Sequence, residues 1–443
     1  MKPFRRQILI VSVAGLTACG APAVATISSS PQHGAGSPTA KVLNAHLLLQ
    51  HGEQPGGLLS ILDTRSGTAT TPVPSGVVTH DWARVYTTTS GVGATLLRAY
   101  DVSTGATVAT VSTAAGFGLP SSGGSGKPSG LSSNGRWLVL AGEPTSTDRA
   151  HNQSGFLVFD TSNLHTTPHH FTLNGYFIYD GINNNGDSVY LLQNLNVDSD
   201  GGRYNVRRFD LANNRLDPQI LVDKRTGERD LSGDAVSSVN SPDGAWQFTV
   251  YAFGSSEPMI HALNLADSSS WCIDLPRAPI DQGMDLLWGL AASRDGRYVY
   301  AINGGNGAVV KMPLPSPWEA QQASFPVPRP QARESSWLPS APVTAQAKRL
   351  VFGAAVLSRD DRTLYGIGDL GIFAVDTATL KPAGPQLLAK LPLTSLALSA
   401  DGEQLYATSL DTSTPLVQVD RRSGAWAAIT AAGRPLSVLL ATR

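Results

Sequence analysis

A short phrase that recurs along the chain constrains its fold more than any other feature. The phrase places a small polar residue two positions before Asp-Gly or Asn-Gly, and an apolar or aromatic run follows. Clear copies occur at 132–137, 241–246, 293–298 and 399–406, and looser copies at 184–190 and 358–365. Asp-Gly and Asn-Gly between apolar runs indicate tight turns between antiparallel strands, because these residues accept a positive φ. Each copy therefore predicts a β-hairpin.

A second phrase follows most copies of the first. It is an apolar run that ends in Asp or Asn, as in 96–101, 156–160, 372–376 and 416–420. Several of these runs continue to a Gly four residues after the Asp, as from Asp101 to Gly105, which suits a type I turn whose last residue is left-handed. A more polar strand would then follow, such as 107–111. Each repeat thus predicts four antiparallel strands.

The spacing of the turns predicts how the hairpins are arranged. The turn residues recur about every 40 to 65 positions, close to the roughly 40 to 50 residues of one propeller blade. They are Asp81, Asn134, Asn185, Asp243, Asp295, Asp360 and Asp401. One more strand pair, 42–49 and 58–63, precedes them without a first strand, and the C-terminal run 435–441 would supply it. We predict an all-β protein, a β-propeller of eight four-stranded antiparallel blades closed by the C-terminal strand joining the N-terminal blade. A seven-bladed ring is the alternative.

Two of the repeats carry a family resemblance. The runs Ser293–Ala301 and Asp401–Ala407 resemble the YVTN-type repeat of bacterial propellers, which is similar to WD40-like and lactonase-type repeats, although the Trp-Asp dipeptide of true WD40 repeats is absent. The resemblance extends from about Lys41 to the end of the chain. It implies the propeller fold, and because its motifs are turn and strand positions it leaves function open.

The N-terminus is typical of an exported bacterial lipoprotein. Arg5 and Arg6 precede an apolar run, 8–18, that is too short to span a membrane. The run ends in Leu-Thr-Ala-Cys-Gly, which resembles a lipobox, and this resemblance implies that Cys19 carries lipid. We predict a signal peptide over 1–19, a flexible Ser-, Pro- and Gly-containing tether over 20–40, and a single propeller domain over 41–443. Ordinary signal cleavage is the alternative, and the choice between Sec and twin-arginine export stays open.

The charge content argues against one class of partner, and the cysteine content argues against a disulfide. The chain has 33 Lys and Arg against 34 Asp and Glu, and charged residues make up 15%, below the roughly 25% of typical soluble domains. No basic stripe is present to hold a phosphate backbone, so we predict no nucleic-acid partner. The membrane is expected to be contacted only through the lipid.

Cys272 has no second cysteine left to pair with and is expected to be buried.

The usual catalytic motifs are absent from the sequence. There is no Gly-x-Ser-x-Gly elbow, no His-Glu-x-x-His and no phosphate-binding loop. His165, His169 and His170 are close in sequence, but a proline separates them and no carboxylate is near. We therefore predict no catalytic residue, no cofactor and no metal. The predicted function is non-catalytic binding or scaffolding in the cell envelope, and the alternative is a lactonase-like enzyme with a site at the mouth of the central channel.

Three long connections are the candidate partner-binding loops, because propellers place binding loops at the faces of the ring. They are 142–155, 223–234 and the Pro-rich 314–347. The partner would be a protein or a glycan of the envelope, and the alternative for the tryptophans is that they pack over a blade edge as anchors. The candidate residues are Arg149, His151, Arg225, Arg229, Trp318, Arg333 and Trp337.

Overall fold

The chain folds into eight blades of antiparallel β-strands. The computed structural model describes residues 40–52, 57–122, 127–142, 153–195, 203–225, 227, 231–252, 257–276, 282–328, 353–431 and 435–442. Strands dominate these ranges, with short 3₁₀ helices at Thr161–Asn163, Gln282–Leu287 and Pro317–Glu319. No helix within the described ranges is long and apolar enough to cross a bilayer.

The first four blades follow one another along the chain. Blade 1 contains β1 (His46–His51), β2 (Leu58–Asp63) and β3 (Val73–Pro74). Blade 2 contains β4 (Val77–Val78), β5 (Arg84–Gly91), β6 (Ala94–Asp101) and β7 (Thr107–Ala114). Blade 3 contains β8 (Phe117–Gly118), β11 (Trp137–Gly142), β12 (Gln153–Asp160) and β13 (His169–Asn174), with a small hairpin of β9 (Ser121–Ser122) and β10 (Lys127–Pro128) before β11. Blade 4 contains β14 (Phe177–Ile182), β15 (Ser188–Asn194), β16 (Arg203–Asp210) and β17 (Arg215–Leu221), and β18 (Leu231–Ser232) also pairs with β16.

The other four blades repeat this order. Blade 5 contains β19 (Asp234–Asn240), β20 (Trp246–Ala252), β21 (Met259–Asn264) and β22 (Ser269–Asp274). Blade 6 contains β23 (Trp288–Ala292), β24 (Tyr298–Asn303), β25 (Ala308–Pro313) and β26 (Gln321–Ser324). Blade 7 contains β27 (Ala355–Leu357), β28 (Thr363–Ile367) and β29 (Ile372–Asp376), and isolated bridges at Leu387 and Pro382 take the place of its fourth strand. Blade 8 contains β30 (Leu393–Leu398), β31 (Gln404–Ser409), β32 (Leu416–Asp420) and β33 (Trp426–Ala428).

The ring is closed by the C-terminal strand, as the sequence predicted. The last strand, β34 (Pro435–Thr442), pairs antiparallel with β1 and completes blade 1. It also contacts β30 of blade 8, and the backbone N–H of Val438 donates to Ser395 Oγ at 2.9 Å. The first strands of blades 5, 6, 7 and 8 contact one another in the same order, β19 with β23, β23 with β27 and β27 with β30, which places them innermost around the axis. The eight-bladed prediction is therefore confirmed over the seven-bladed alternative.

The recurring phrase forms the turn between the first and second strands of a blade. At 293–298, Ser293 Oγ donates to Asp295 Oδ1 at 2.7 Å and accepts the Tyr298 N–H at 2.9 Å. Asp295 Oδ1 also accepts the Arg297 N–H at 3.0 Å. Gly296 has φ +69°, which a residue with a Cβ adopts only with strain. The phrase therefore specifies its own turn through local side-chain hydrogen bonds.

The core lies between neighbouring blades rather than in one centre. Neighbouring blades cover the faces of the middle strands, so these strands are largely buried, and six of the seven residues of β20 are buried. The largest cluster joins Phe248 and Trp271 of blade 5 to Leu290 and Val310 of blade 6. Burial of these interfaces, repeated around the ring, is the main favourable contribution to stability. Cys272 is buried, as predicted.

One predicted connection is wrong at its start. The sequence predicted a single loop over 314–347, but Gln321–Ser324 is the fourth strand of blade 6 and Phe325 after it is buried. The strand was missed because Gln-Gln-Ala-Ser has no apolar alternation and lies at the exposed outer edge of its blade. Trp318 therefore belongs to the turn between the third and fourth strands of blade 6.

Candidate binding site on the rim of blades 4 to 6

An exposed tryptophan is held rigidly at the outer rim of the ring. Trp318 lies in the 3₁₀ helix between β25 and β26, and its ring stacks on Trp271 of β22, with centroids 4.7 Å apart and planes at 29°. Trp271 in turn packs on Trp246 at 5.3 Å. Trp271 is 7% exposed and Trp318 is 38% exposed. The stack thus fixes one indole in place while leaving part of it open to solvent, which is the arrangement of an anchor residue in a binding surface.

A lysine from the preceding blade joins this stack. The chain that leaves β17 runs beside β22, where Asp223 forms a parallel bridge with Ser270 and the Lys224 N–H donates to Ser270 O at 3.3 Å. This position brings Lys224 Nζ to 5.2 Å from the centroid of Trp271. The ammonium is attracted by the negative face of the indole. A cation is thereby held at the same rim as the exposed tryptophan.

The next residue, Arg225, is fixed by a buried carboxylate. Asp223 is 2% exposed, and its Oδ2 accepts Arg225 Nη2 at 3.0 Å and the Cys272 N–H at 2.6 Å. Arg225 Nη2 also donates to Cys272 O. Burial opposes ionisation of Asp223, but the hydrogen bonds from Arg225 and from the Cys272 N–H prevail and hold its pKa below the usual value. The Arg225 side chain remains 43% exposed. The side chain is therefore held in place by its hydrogen bonds and is still accessible to solvent.

These residues make up the rim site, which we define as Lys224, Arg225, Trp271 and Trp318. Polar groups flank it: Gln322 Nε2 donates to Asp274 O at 2.8 Å, and Asp274 and Glu319 are exposed. The site combines an aromatic face, cations and hydrogen-bonding side chains. Its chemistry suits binding of a polar partner.

The rim site contains two of the predicted residues, Arg225 and Trp318. Of its other two residues, Lys224 lies in the predicted loop 223–234, and Trp271 was not among the candidates. Arg225 and Trp318 are 93 positions apart along the chain, and both contact β22. Trp271 was not predicted. The signal that could have found it is the alternation of side chains along a strand, which places Trp271 and the buried Cys272 on opposite faces of β22. The other candidates lie outside the described residues. These are Cys19, Arg149, His151, Arg229, Arg333 and Trp337.

A second unusual feature is a half-buried aspartate between blades 4 and 5 whose carboxyl oxygen Oδ2 is buried. Asp180 lies at an irregularity in the pairing of β14 with β15, and its Oδ1 accepts Gln247 Nε2 of blade 5 at 3.1 Å. Its Oδ2 is buried and has no hydrogen-bond partner within the described structure. Burial raises the pKa of Asp180 to about 7, against the hydrogen bond from Gln247, which lowers it.

The groups that face Asp180 are neutral. The pKa values of Tyr179, Tyr204 and Tyr251 are all raised, in each case mainly by burial, so these phenols stay protonated near neutral pH. His261 packs against Tyr251 with ring centroids 6.4 Å apart, and burial lowers its pKa to about 4, which keeps it uncharged. This joint between blades 4 and 5 therefore buries a carboxyl group among neutral neighbours.

The central channel offers little for catalysis within the described residues. The charged side chains of the innermost strands are Asp180, which is directed toward Gln247 of the next blade, and Asp234, which is exposed. An enzyme of the predicted alternative type would need several such groups to converge on one point. In the described parts of the chain, no group of three or more His, Cys, Asp or Glu side chains could hold a metal ion. His169 instead pairs with Asn214, and His170 packs on Phe117.

Comparison with known proteins supports the fold and leaves the function open. No family model matches the chain, and no curated protein sequence does. Among solved structures, the chain is similar to apo AztD from Citrobacter koseri, with a TM-score of 0.51, 10% identity, and coverage of 90% of this chain and 98% of that one. It is equally similar to dihydro-heme d1 dehydrogenase NirN, with a TM-score of 0.51 and 14% identity, covering 90% of this chain and 76% of that one.

The periplasmic gluconolactonase PpgL of Pseudomonas aeruginosa covers 89% of the chain at 17% identity. Its TM-score of 0.41 is too low to support a shared function. At identities this low, the similarity supports only the fold, which is that of an eight-bladed β-propeller.

Proposed function

We propose that this protein is a non-catalytic binding protein of the bacterial cell envelope, held at the membrane by lipid on Cys19. The observation that supports binding is the partly exposed indole of Trp318 fixed on Trp271. A side chain that is already ordered loses little conformational entropy when a partner covers it, so more of its contact energy remains as affinity. Aromatic residues of this kind dominate the energetics of binding surfaces.

The partner in this proposal is a protein or a glycan of the envelope, bound through the rim site. The cations Lys224 and Arg225 and the exposed carboxylates nearby give the surface mixed charge, which suits a polar partner. The apolar run and the lipobox-like sequence before Cys19 support export and anchoring. A catalytic alternative gains no support from the charged groups on the described innermost strands, which do not converge.

The experiment that tests binding compares two exposed apolar residues at different places on the ring. Purified wild type, Trp318→Ala and Val92→Ala are titrated against isolated envelope glycan fragments and against solubilised envelope proteins. Val92 is fully exposed in a turn of blade 2 and serves as the matched control. We expect Trp318→Ala to weaken binding by about thirtyfold, or about 2 kcal/mol, as for a central anchor residue. Equal affinity of all three proteins would contradict the rim site as the binding surface.

The anchoring is tested separately. In cells that produce the full chain, Cys19→Ala should move the protein from the membrane fraction to the soluble fraction, and Cys272→Ala should not. If Cys19→Ala stays with the membrane, the proposed anchor is wrong, whatever the outcome at the rim.

A further inference from the structure

The chain contains five Asn-Gly pairs, and an asparagine followed by glycine is especially prone to lose its side-chain amide. The glycine has no Cβ, so its backbone nitrogen can approach the asparagine Cγ with little steric hindrance. The pairs begin at Asn134, Asn174, Asn185, Asn303 and Asn306, and all five lie within the described residues. Which pair reacts in the folded protein depends on how firmly the fold holds the glycine N–H and the asparagine side chain.

Two exposed pairs, at positions 134 and 185, are locked in hairpin turns. The Gly135 N–H donates to Ser132 O at 2.8 Å. The Gly186 N–H donates to Asn183 O at 3.2 Å and to Asn183 Oδ1 at 3.0 Å. A nitrogen engaged in this way must first leave its hydrogen bond, so the reaction at both positions requires local opening of the turn.

Two further pairs are shielded by burial. Asn303 is fully buried, so the water that must complete the hydrolysis has little access to it. Asn306 is half-buried, and its Nδ2 donates to Pro276 O at 3.1 Å. The Gly307 N–H donates to Asn303 O at 3.0 Å. The fold therefore holds both the attacking nitrogen and the leaving amide of the pair at position 306.

The pair at Asn174 differs from the other four. Asn174 is exposed at the end of β13, and Gly175, with φ +117°, begins the connection to blade 4. Within the described residues, the Gly175 N–H makes no hydrogen bond. Gln153 Nε2 donates to Asn174 Oδ1 at 3.2 Å, which makes Cγ more electrophilic and leaves Nδ2 available as the leaving group. The nucleophile, the electrophile and the leaving group are thus all accessible at this position.

We propose that Asn174 is a modification site at which the folded protein deamidates through a cyclic imide. The Gly175 nitrogen loses its proton to solvent base and attacks Asn174 Cγ, the new C–N bond closes a succinimide ring, and the side-chain nitrogen takes up a proton and leaves as ammonia. Water then adds to one of the two ring carbonyls and breaks a C–N bond, which leaves an aspartyl or an isoaspartyl residue at position 174. Water is the only co-reactant. This proposal does not depend on the rim site.

The modification would alter the connection between blades 3 and 4. The buried Ser154 donates from its Oγ to Gly175 O at 2.9 Å and accepts the Phe177 N–H at 2.8 Å. An isoaspartyl residue lengthens the main chain immediately before Gly175, so it displaces the carbonyl that Ser154 holds. We therefore expect the isoaspartyl form, which ion exchange separates by its additional negative charge, to melt at a lower temperature than the unmodified protein.

The test incubates the whole purified protein at mildly alkaline pH in water enriched in heavy oxygen, and follows the five positions by peptide mass spectrometry. We expect position 174 to incorporate the label at least about tenfold faster than positions 134 and 185, which corresponds to about 1.4 kcal/mol of local opening at those turns. The matched control is the same protein unfolded in urea, in which all five positions should react at similar rates. Asn183→Ala removes one acceptor of the Gly186 N–H and should speed the reaction at position 185 without changing position 174.

Each other outcome overturns the proposal. If position 174 reacts no faster than positions 134 and 185 in the folded protein, its accessible groups are not in a reactive geometry. A preference for position 174 that persists in urea would come from the local sequence and not from the fold. If Asn183→Ala folds and leaves the rate at position 185 unchanged, the turn hydrogen bond is not what protects that pair. The comparison within wild type does not use this variant, so it remains decisive if Asn183→Ala fails to fold.

Discussion

The buried carboxyl of Asp180 makes a quantitative prediction about stability and pH. In the unfolded chain this group titrates near its ordinary value of 3.8, and in the folded protein near 7. Below pH 3.8 both states hold the proton. Between these values the unfolded chain releases the proton and the folded protein keeps it, so the free energy of unfolding falls as pH rises. Above about pH 7 both states are ionised, and the loss stops growing.

The size of this effect follows from the two pKa values. The interval between 3.8 and about 7 corresponds to about 4 kcal/mol, at 1.36 kcal/mol for each pH unit. The variant Asp180→Asn keeps the shape of the protonated acid and cannot ionise. We expect Asp180→Asn to exceed wild type by about 1.6 kcal/mol at pH 5, where 1.2 of the pH units above 3.8 have been crossed, and by about 4 kcal/mol at pH 8.5. Tyr179, Tyr204 and Tyr251 stay neutral over this range and do not obscure the comparison.

Urea unfolding at pH 5, 7 and 8.5 measures the difference. The control is Asp234→Asn, which removes an exposed carboxylate from the neighbouring innermost strand and should leave the pH dependence of wild type unchanged. If the advantage of Asp180→Asn is the same at pH 5 and pH 8.5, the carboxyl does not hold its proton through folding. The argument from its burial would then be wrong.

Three further substitutions test the rim, the ring closure and the turns. Arg225→Met should lower the free energy of unfolding by about 3 kcal/mol, since it removes the ion pair between Arg225 and the buried Asp223 carboxylate, and adding Asp223→Asn should recover part of the loss in the same urea assay. Val438→Asp should lower it by about 3 kcal/mol or more, because this side chain of the closing strand is 3% exposed; a melting temperature equal to that of wild type would contradict closure through β34. Gly296→Ala should cost about 1 kcal/mol by calorimetry, as expected for a Cβ at φ +69°, and a neutral result would mean that the turn relaxes.

The sequence determined the architecture because its elements are local. A turn such as 293–298 is built by hydrogen bonds between residues two to five positions apart, so the phrase itself specifies the geometry. Seven such turns account for seven blades, and the strand pair that precedes them accounts for the eighth. Closure followed from the missing first strand of the N-terminal blade and the additional strand at the C-terminus, which β34 and β1 then paired.

The tertiary structure alone decided the contents of the sites, because their partners are distant in sequence. Asp180 meets Gln247 67 positions away, and nothing in the run Tyr-Asp-Gly distinguishes this aspartate from those that form exposed turns. Trp318 stacks on Trp271 only because the third-to-fourth turn of one blade lies against the outer strand of the blade before it. Local hydrogen bonding can be deduced from the order of residues. Burial depends on which surfaces the ring brings together, and burial is what raises the pKa of Asp180 and fixes the indole at the rim.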